Sequence, residues 1–224
     1  MAKVQSAAHS LTLRKSIKKI KKITDKPVIL DIGANNGRLA IKYLNKFPKA
    51  KYYAVEPSKM NRRIFLKRTK DYPNIVLMPF GVANNSGTVN LTEIDNVDMG
   101  HISSLFPSHV ESHANGKTIT TYPVNVMTIQ EIIDKIDSAT IDLLKINCEG
   151  AEYLMFDGNT EWLNRIKIIV IQLHITAPFY TIEYDYKRNA IYSLLYKNNF
   201  EFKVGDIVHK KGLKCLNQLW VKNE

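Results

Sequence analysis

The sequence predicts an α/β fold, a mostly parallel sheet with helices on both faces. Short apolar runs lead into Asp31, fill residues 52–55, 75–78 and 141–146, and return at 168–173. Each has the length of a buried strand. Between them lie segments with apolar residues at helical spacing, such as Ala40, Tyr43, Leu44 and Phe47. Strands that alternate with helices call for the crossovers of a parallel sheet. The 224 residues are enough for one such domain with a full core.

Composition narrows the class. With 45% hydrophobic and 24% charged residues, the chain has the balance of a soluble globular protein. No apolar run reaches the length of a membrane span. No secretory signal is visible, so a cytoplasmic location is expected. Cys148 and Cys215 give neither a disulfide framework nor a zinc spacing. Net charge is +11, but residues 1–26 carry eight Lys or Arg against one Asp, so +7 of it sits there. The remaining +4 argues against a nucleic-acid surface on the rest of the chain.

The elements follow in order. Residues 1–9 read as frayed. From Ser10 a basic helix is expected, with Leu13, Ile17 and Ile20 on one face and Arg14, Lys15, Lys18, Lys19, Lys21 and Lys22 around the rest. The plainer reading packs that stripe on the domain. The sharper one has the basic face meet an acidic partner, a phosphate or a membrane surface. Pro27 ends the helix. Residues 1–26 are therefore a basic helical extension, and 27–224 form the main domain.

The stretch Val28-Ile29-Leu30-Asp31-Ile32-Gly33-Ala34-Asn35-Asn36-Gly37 reads as strand, tight turn and helix start. Gly and Asn tolerate the positive φ that such a turn needs. This is the first unit of a nucleotide-type fold. A dinucleotide fold wants G-x-G-x-x-G, and here the middle glycine is missing. Asp31 sits two residues before Gly33, where a carboxylate repels a pyrophosphate but suits an ammonium group. S-adenosylmethionine carries one. Glu56 follows the second strand and is placed to take both hydroxyls of a ribose. The pattern resembles the class I S-adenosylmethionine-dependent methyltransferases. The resemblance makes Asp31, Gly33, Asn35, Asn36, Gly37, Glu56 and Pro57 candidate cofactor contacts.

Ser58 is a plausible N-cap for a helix to about Thr69, and the third strand lies near Ile75–Met78. In the methyltransferase reading Phe80, Gly81 and Val82 lie against the adenine; for Phe80 plain core packing serves equally well. A β-hairpin is expected next, turning at Asn84-Asn85-Ser86-Gly87 into Thr88–Thr92. Residues 95–117 are the least regular part and read as an insertion over an active-site mouth. Its histidines 101, 109 and 113 invite a metal. Without a cysteine or a close carboxylate cluster they read as exposed loop histidines, and no metal site is assigned. A strand at 119–126 precedes the capping box Thr128-Ile129-Gln130-Glu131, whose helix turns Ile129, Ile132, Ile133 and Ile136 inward.

The second informative stretch is Ile141-Asp142-Leu143-Leu144-Lys145-Ile146-Asn147-Cys148-Glu149-Gly150-Ala151-Glu152. A buried strand ends in a polar cluster that faces the ligand crevice of such folds. With the glycine turn and Glu56-Pro57, it resembles the FkbM family of O-methyltransferases over about residues 27–175. Leu144-Lys145-Ile146, Glu149-Gly150-Ala151-Glu152 and Gly158 match the family pattern. Asn147 departs from it where the family usually has Asp, and Gln172 where it commonly has Glu before a similarly placed His. The resemblance implies a Rossmann-like, seven-stranded sheet closed by an antiparallel hairpin, here strands near 200–208 and 214–221 joined through Lys210-Lys211-Gly212. A helix at 186–197 precedes them.

The resemblance also implies the chemistry, methyl transfer to a hydroxyl, with a sugar of a glycan or glycoconjugate as acceptor. Such transfer needs an aligned acceptor and a base within reach. His174, at a strand end, is the first candidate and Glu149 the second. Lys145 and Asn147 complete the catalytic set, and Asn147 is also a cofactor contact. The aromatic loop with Pro178, Phe179, Tyr180, Tyr184 and Tyr186 fits a sugar face. Some O-methyltransferases bind Mg²⁺ through acids at positions held here by Asn147 and Gln172. Neutral amides do not neutralise charge, so Mg²⁺ is not favoured and methyl transfer is expected to survive a chelator. An RNA methyltransferase and a catalytically impaired cofactor-binding module are the rival readings.

Overall fold

The computed structural model describes residues 7–94, 102–176, 178–210 and 213–223. Helix α1 (Ala7–Ile23) leads into β1 (Val28–Ile32), α2 (Arg38–Leu44), β2 (Lys51–Val55), α3 (Lys59–Thr69) and β3 (Ile75–Met78). A middle section follows, with β4 (Gly81–Val82), β5 (Gly87–Ile94), β6 (Ile102–Ser104), α4 (Pro107–Glu111) and β7 (Ile119–Met127). The chain returns through α5 (Ile129–Asp134), β8 (Leu143–Ile146), α6 (Glu152–Met155), a 3-10 helix (Glu161–Arg165), β9 (Ile168–His174), α7 (Ile182–Lys197), β10 (Phe200–Lys210) and β11 (Leu213–Lys222).

The main sheet has seven strands in the order β10-β11-β9-β8-β1-β2-β3. The five from β9 to β3 are parallel, and β11 pairs antiparallel with both β9 and β10. This is the mostly parallel sheet with an antiparallel terminal hairpin that the sequence predicts. Both faces are covered, which is why its strands read as apolar runs without polar alternation. Successive side chains point to opposite faces. Leu30 and Ile32 enter one core cluster with Ile132, Ile133, Leu163 and Leu195 from α5, the 3-10 helix and α7. Ile29 enters the other, with Ile20, Ala40, Tyr43 and Phe65 from α1, α2 and α3.

Helix α1 begins three residues before the expected Ser10. Ile20 is wholly buried, Leu13 and Ile17 pack on the same cluster, and Arg14, Lys15 and Lys18 are exposed. It packs mainly on β9, β10 and β11, as the plainer reading expects. Ser16 is also buried, with its hydroxyl 2.9 Å from that of Tyr43. Helix α7 starts at Ile182 rather than 186, because Thr181 caps it by accepting from the Tyr184 N–H. The capping box at Thr128 and Glu131 forms as expected.

One expectation is corrected. The segments flanking the Asn84–Gly87 turn do not pair as a hairpin. Strand β7 lies between them, parallel to β4 and antiparallel to β5, with Val126 opposite both Gly81 and Gly87. Together with β6 they form a second sheet, ordered β4-β7-β5-β6. The turn residues fix a reversal but not its neighbours. The long partner β7 satisfies the backbone of β5 over eight residue pairs, which the two residues of β4 could not. Residues 95–101 and the Lys211-Gly212 turn lie outside the described residues, and with them His101. Among the described residues no helix is long and apolar enough to cross a membrane.

Candidate active site

The glycine turn forms at the carboxyl end of β1. Gly33, Asn35 and Gly37 have φ of +76°, +49° and +77°. A Cβ on Gly33 would stand 1.9 Å from the carbonyl oxygen of Asn147, so the close approach of the two loops requires glycine. At Gly37 a Cβ would press on the Phe65 ring. Lys145 braces the turn from beneath: its Nζ donates to the Gly33 carbonyl at 2.8 Å and pairs with Asp31 Oδ1 at 2.8 Å. The Tyr52 hydroxyl donates to Asp31 Oδ2 at 2.6 Å.

The structure therefore does not bring Asp31 to the crevice. Asp31 alternates with Ile32, falls on the face of Ile29, and is wholly buried between Lys145 and Tyr52. Its carboxylate, held by Lys145 and Tyr52, does not line the cavity in front of the turn. Asn36 and Gly37 also stay behind the turn, where Asn36 accepts from Arg68 through its carbonyl and from the Arg38 N–H through Oδ1.

In front of the turn lies a cavity that opens to solvent, about 560 Å³ with its mouth included. Gly33, Asn35, Glu56, Pro57, Gly81 and Val82 line it, together with Asn147, Cys148 and Glu149. Leu91, Ser103, Ser104 and Leu105 of the second sheet's side cover it. Phe80 is not among the lining residues; it packs against the core. The Glu56 carboxylate accepts from the backbone N–H of Asn35 at 2.7 Å and of Ser58 at 2.9 Å. Burial pushes its pKa up to about 7 against the opposing pull of those amides. Asn147 Oδ1 is buried without a hydrogen-bond partner.

Around Glu149 the side chains are tightly linked. Glu149 sits at φ +52°, its carbonyl accepting from the Ser104 hydroxyl at 2.6 Å. Its Oε2 lies 3.0 Å from His109 Nε2 and 3.2 Å from His174 Nε2. His174 Nδ1 is 2.7 Å from Glu152 Oε1. Burial would lower the His174 pKa, but Glu152 and Glu149 together hold it well above the ordinary imidazole value. Burial would raise that of Glu149, but the His174 charge and the His109 hydrogen bond hold it well below the carboxylate range.

This arrangement corrects the first choice of base. His174 is 1% exposed, both ring nitrogens face carboxylates, and it does not line the cavity. With Nδ1 on Glu152, Nε2 on Glu149 and no side on the cavity, the ring presents no nitrogen to an acceptor hydroxyl. Glu149 is the group that reaches the cavity. Lys145 supports the turn, and Gln172 faces a smaller space under α1 with Thr12 and Tyr43. The aromatic loop divides: Phe179 is fully buried on Gly150, while Tyr180 and Tyr186 are exposed.

His109 was the residue missed. It is wholly buried rather than exposed on a loop, and its carboxylate neighbour comes from 40 residues away. The one local hint was Pro107, which starts α4 and converts part of the expected loop into helix.

A family model, Methyltransferase FkbM domain, matches residues 31–202. Among curated proteins none matches the chain. Several solved structures are similar. TrmK of M. capricolum, in complex with S-adenosyl-homocysteine, aligns with 95% of this chain and 68% of its own at 13% identity and a TM-score of 0.54. An rRNA methylase from Streptococcus thermophilus aligns over 100% and 99% at 12% identity and 0.52. Precorrin-6y C5,15-methyltransferase from Geobacter metallireducens aligns over 94% and 87% at 15% identity and 0.51. At such identities the likeness is one of fold.

Proposed function

The chain belongs to the FkbM methyltransferase family, and from that premise we propose that it is an S-adenosylmethionine-dependent O-methyltransferase. The observation that carries this reading is the cavity between the Gly33 turn, Glu56 and Asn147. It lies at the carboxyl edge of the parallel strands, where open α/β sheets bind their ligands. Its residues fit the cofactor. Gly33 lets the turn after β1 close on the Asn147 backbone, which brings both loops to the cavity wall. Glu56 offers a two-oxygen acceptor to ribose hydroxyls, and the unpartnered Asn147 Oδ1 offers one to the ammonium group. Pro57, Gly81 and Val82 give the apolar wall for the adenine. Bound there, the cofactor supplies an electrophilic methyl on a sulfonium.

The chain's own part is to hold the acceptor in line and handle its proton. Glu149 is a partly exposed carboxylate in the cavity wall, and it orients the acceptor hydroxyl by accepting its hydrogen bond. A sugar hydroxyl is the proposed acceptor; the family resemblance supports it, as do the exposed Tyr180 and Tyr186 beyond the site. An RNA acceptor is the second reading, favoured by the exposed Arg14, Lys15 and Lys18 of α1.

Calorimetry with S-adenosylhomocysteine tests the premise. Wild type is expected to bind, and Glu56→Ala to lose most of the affinity while staying folded. A folded wild type that binds nothing overturns the reading. Labelled methyl transfer to a sugar panel and to RNA then decides the acceptor. Salt-sensitive RNA binding with RNA turnover would move the assignment to the second reading.

A further inference from the structure

We propose that His109, Glu149 and His174 form a site for one divalent transition metal, of the zinc class, open on its fourth side to the cavity. The three come from α4, from the turn after β8 and from the end of β9. One ligand atom from each lies within 4.8 Å of the others, and Glu149 Oε2 stands 3.0 and 3.2 Å from the two Nε2 atoms, so side-chain shifts of under about 1 Å bring all three onto one ion with bonds of about 2.0–2.2 Å. Two histidines and one glutamate are a donor set of catalytic zinc, which leaves a coordination position free. Here the two rings are buried and the carboxylate, 28% exposed, faces the cavity.

The surroundings are those of a held ligand set. Glu152 Oε1 accepts from His174 Nδ1 at 2.7 Å, which selects the tautomer with Nε2 free for a metal. The same oxygen accepts the His174 backbone N–H at 2.9 Å, so the carboxylate cannot swing away. Glu149 takes a left-handed backbone, costing on the order of 1 kcal/mol for a non-glycine residue, and Ser104 pins its carbonyl there. The result aims Oε2 between the two imidazoles. His109 Nδ1, buried without a partner, leaves Nε2 as the nitrogen engaged with the cluster.

Such an ion would act as a Lewis acid on the acceptor hydroxyl at the open position. As the oxygen–methyl bond forms and the sulfur–methyl bond breaks, the hydroxyl proton leaves to water. That use rests on the methyltransferase reading; the binding site does not. The expectation that methyl transfer survives a chelator reverses with it.

The test is a titration of chelator-stripped protein with Co²⁺ and Zn²⁺, read by calorimetry and by the visible Co²⁺ spectrum. Wild type is expected to bind one ion per chain and show cobalt bands of low-symmetry coordination. His109→Asn is expected to weaken binding at least 100-fold. Since His109 is buried, Glu149→Gln, at a partly exposed side chain, gives the same reading without a core change. Thermal melts of each variant report folding separately. No ion bound by wild type, or full binding retained in both variants, overturns the site. Metal binding without cofactor binding would keep the site and sink the methyltransferase reading instead.

Discussion

His174 gives both its backbone N–H and its Nδ1 to one oxygen, Oε1 of Glu152, at 2.9 and 2.7 Å. Both residues are buried, and the other oxygen of Glu152 accepts the Gly150 N–H at 2.9 Å. One carboxylate thus ties the end of β9 to the start of α6. Glu152→Gln keeps the volume and removes the charge, leaving the imidazolium with Glu149 alone. Breaking a buried pair this way costs about 3–5 kcal/mol. Urea unfolding of chelator-treated protein should show that loss. Glu183→Gln, in an exposed pair with Lys187, should shift it by less than about 0.5 kcal/mol.

Two glycines of equal backbone angle separate strain from collision. Gly33 and Gly116 have φ of +76° and +77°. A Cβ at Gly33 meets the Asn147 carbonyl at 1.9 Å, whereas one at Gly116 meets nothing within 4 Å. Gly116→Ala should cost only the left-handed strain, about 1–2 kcal/mol. Gly33→Ala should cost more and abolish S-adenosylhomocysteine binding, because the two loops lining the cavity must part. Thermal melts and calorimetry on both variants check this.

Glu56 gives a pH signature. Its pKa is raised by burial from 4.5 to about 7 in the folded protein. The stability tied to the neutral carboxyl is therefore complete below about pH 4.5 and is lost as pH rises through about 7. Between those limits wild type should lose up to about 3 kcal/mol relative to Glu56→Gln. The offset between the two proteins includes altered amide contacts, so the difference in slope across pH 5 to 8 is the quantity to measure. Parallel slopes would mean that Glu56 is ionised at no unusual cost.

Helix α1 is expected to be part of the domain's stability. Ile20 is wholly buried in the cluster with Tyr43 and Leu219. Ile20→Ala should cost about 2–5 kcal/mol in urea unfolding. Lys15→Ala, on the exposed face of the same helix, should stay within about 0.5 kcal/mol of wild type. Equal effects would separate the basic stripe from a merely solvated face.

Much of the fold is legible in local sequence. The five parallel strands, the Thr128 capping box and the positive-φ turn each follow from residues a few positions apart. The second sheet is less legible, because Gly81–Val82 is too short to declare its partner and β7 arrives from more than 35 residues away. Of the candidate cofactor contacts, Gly33, Glu56, Gly81 and Val82 line the cavity. Asp31 and His174 carry the expected residue types but turn their polar atoms into buried ion pairs.

By itself the sequence determined the five parallel strands and the helices between them, the glycine turn at the end of β1 and the polar cluster after β8. Those features rest on short-range sterics and periodicity, which neighbouring residues fix among themselves. Tertiary structure alone decided which polar groups face the cavity. Asp31 and Ile32 differ by one residue and so point to opposite sides of the sheet, which commits the acid to Lys145 rather than to a ligand. It also decided that His109 meets Glu149 and His174, since packing three distant segments around one point leaves no trace in the spacing of any of them.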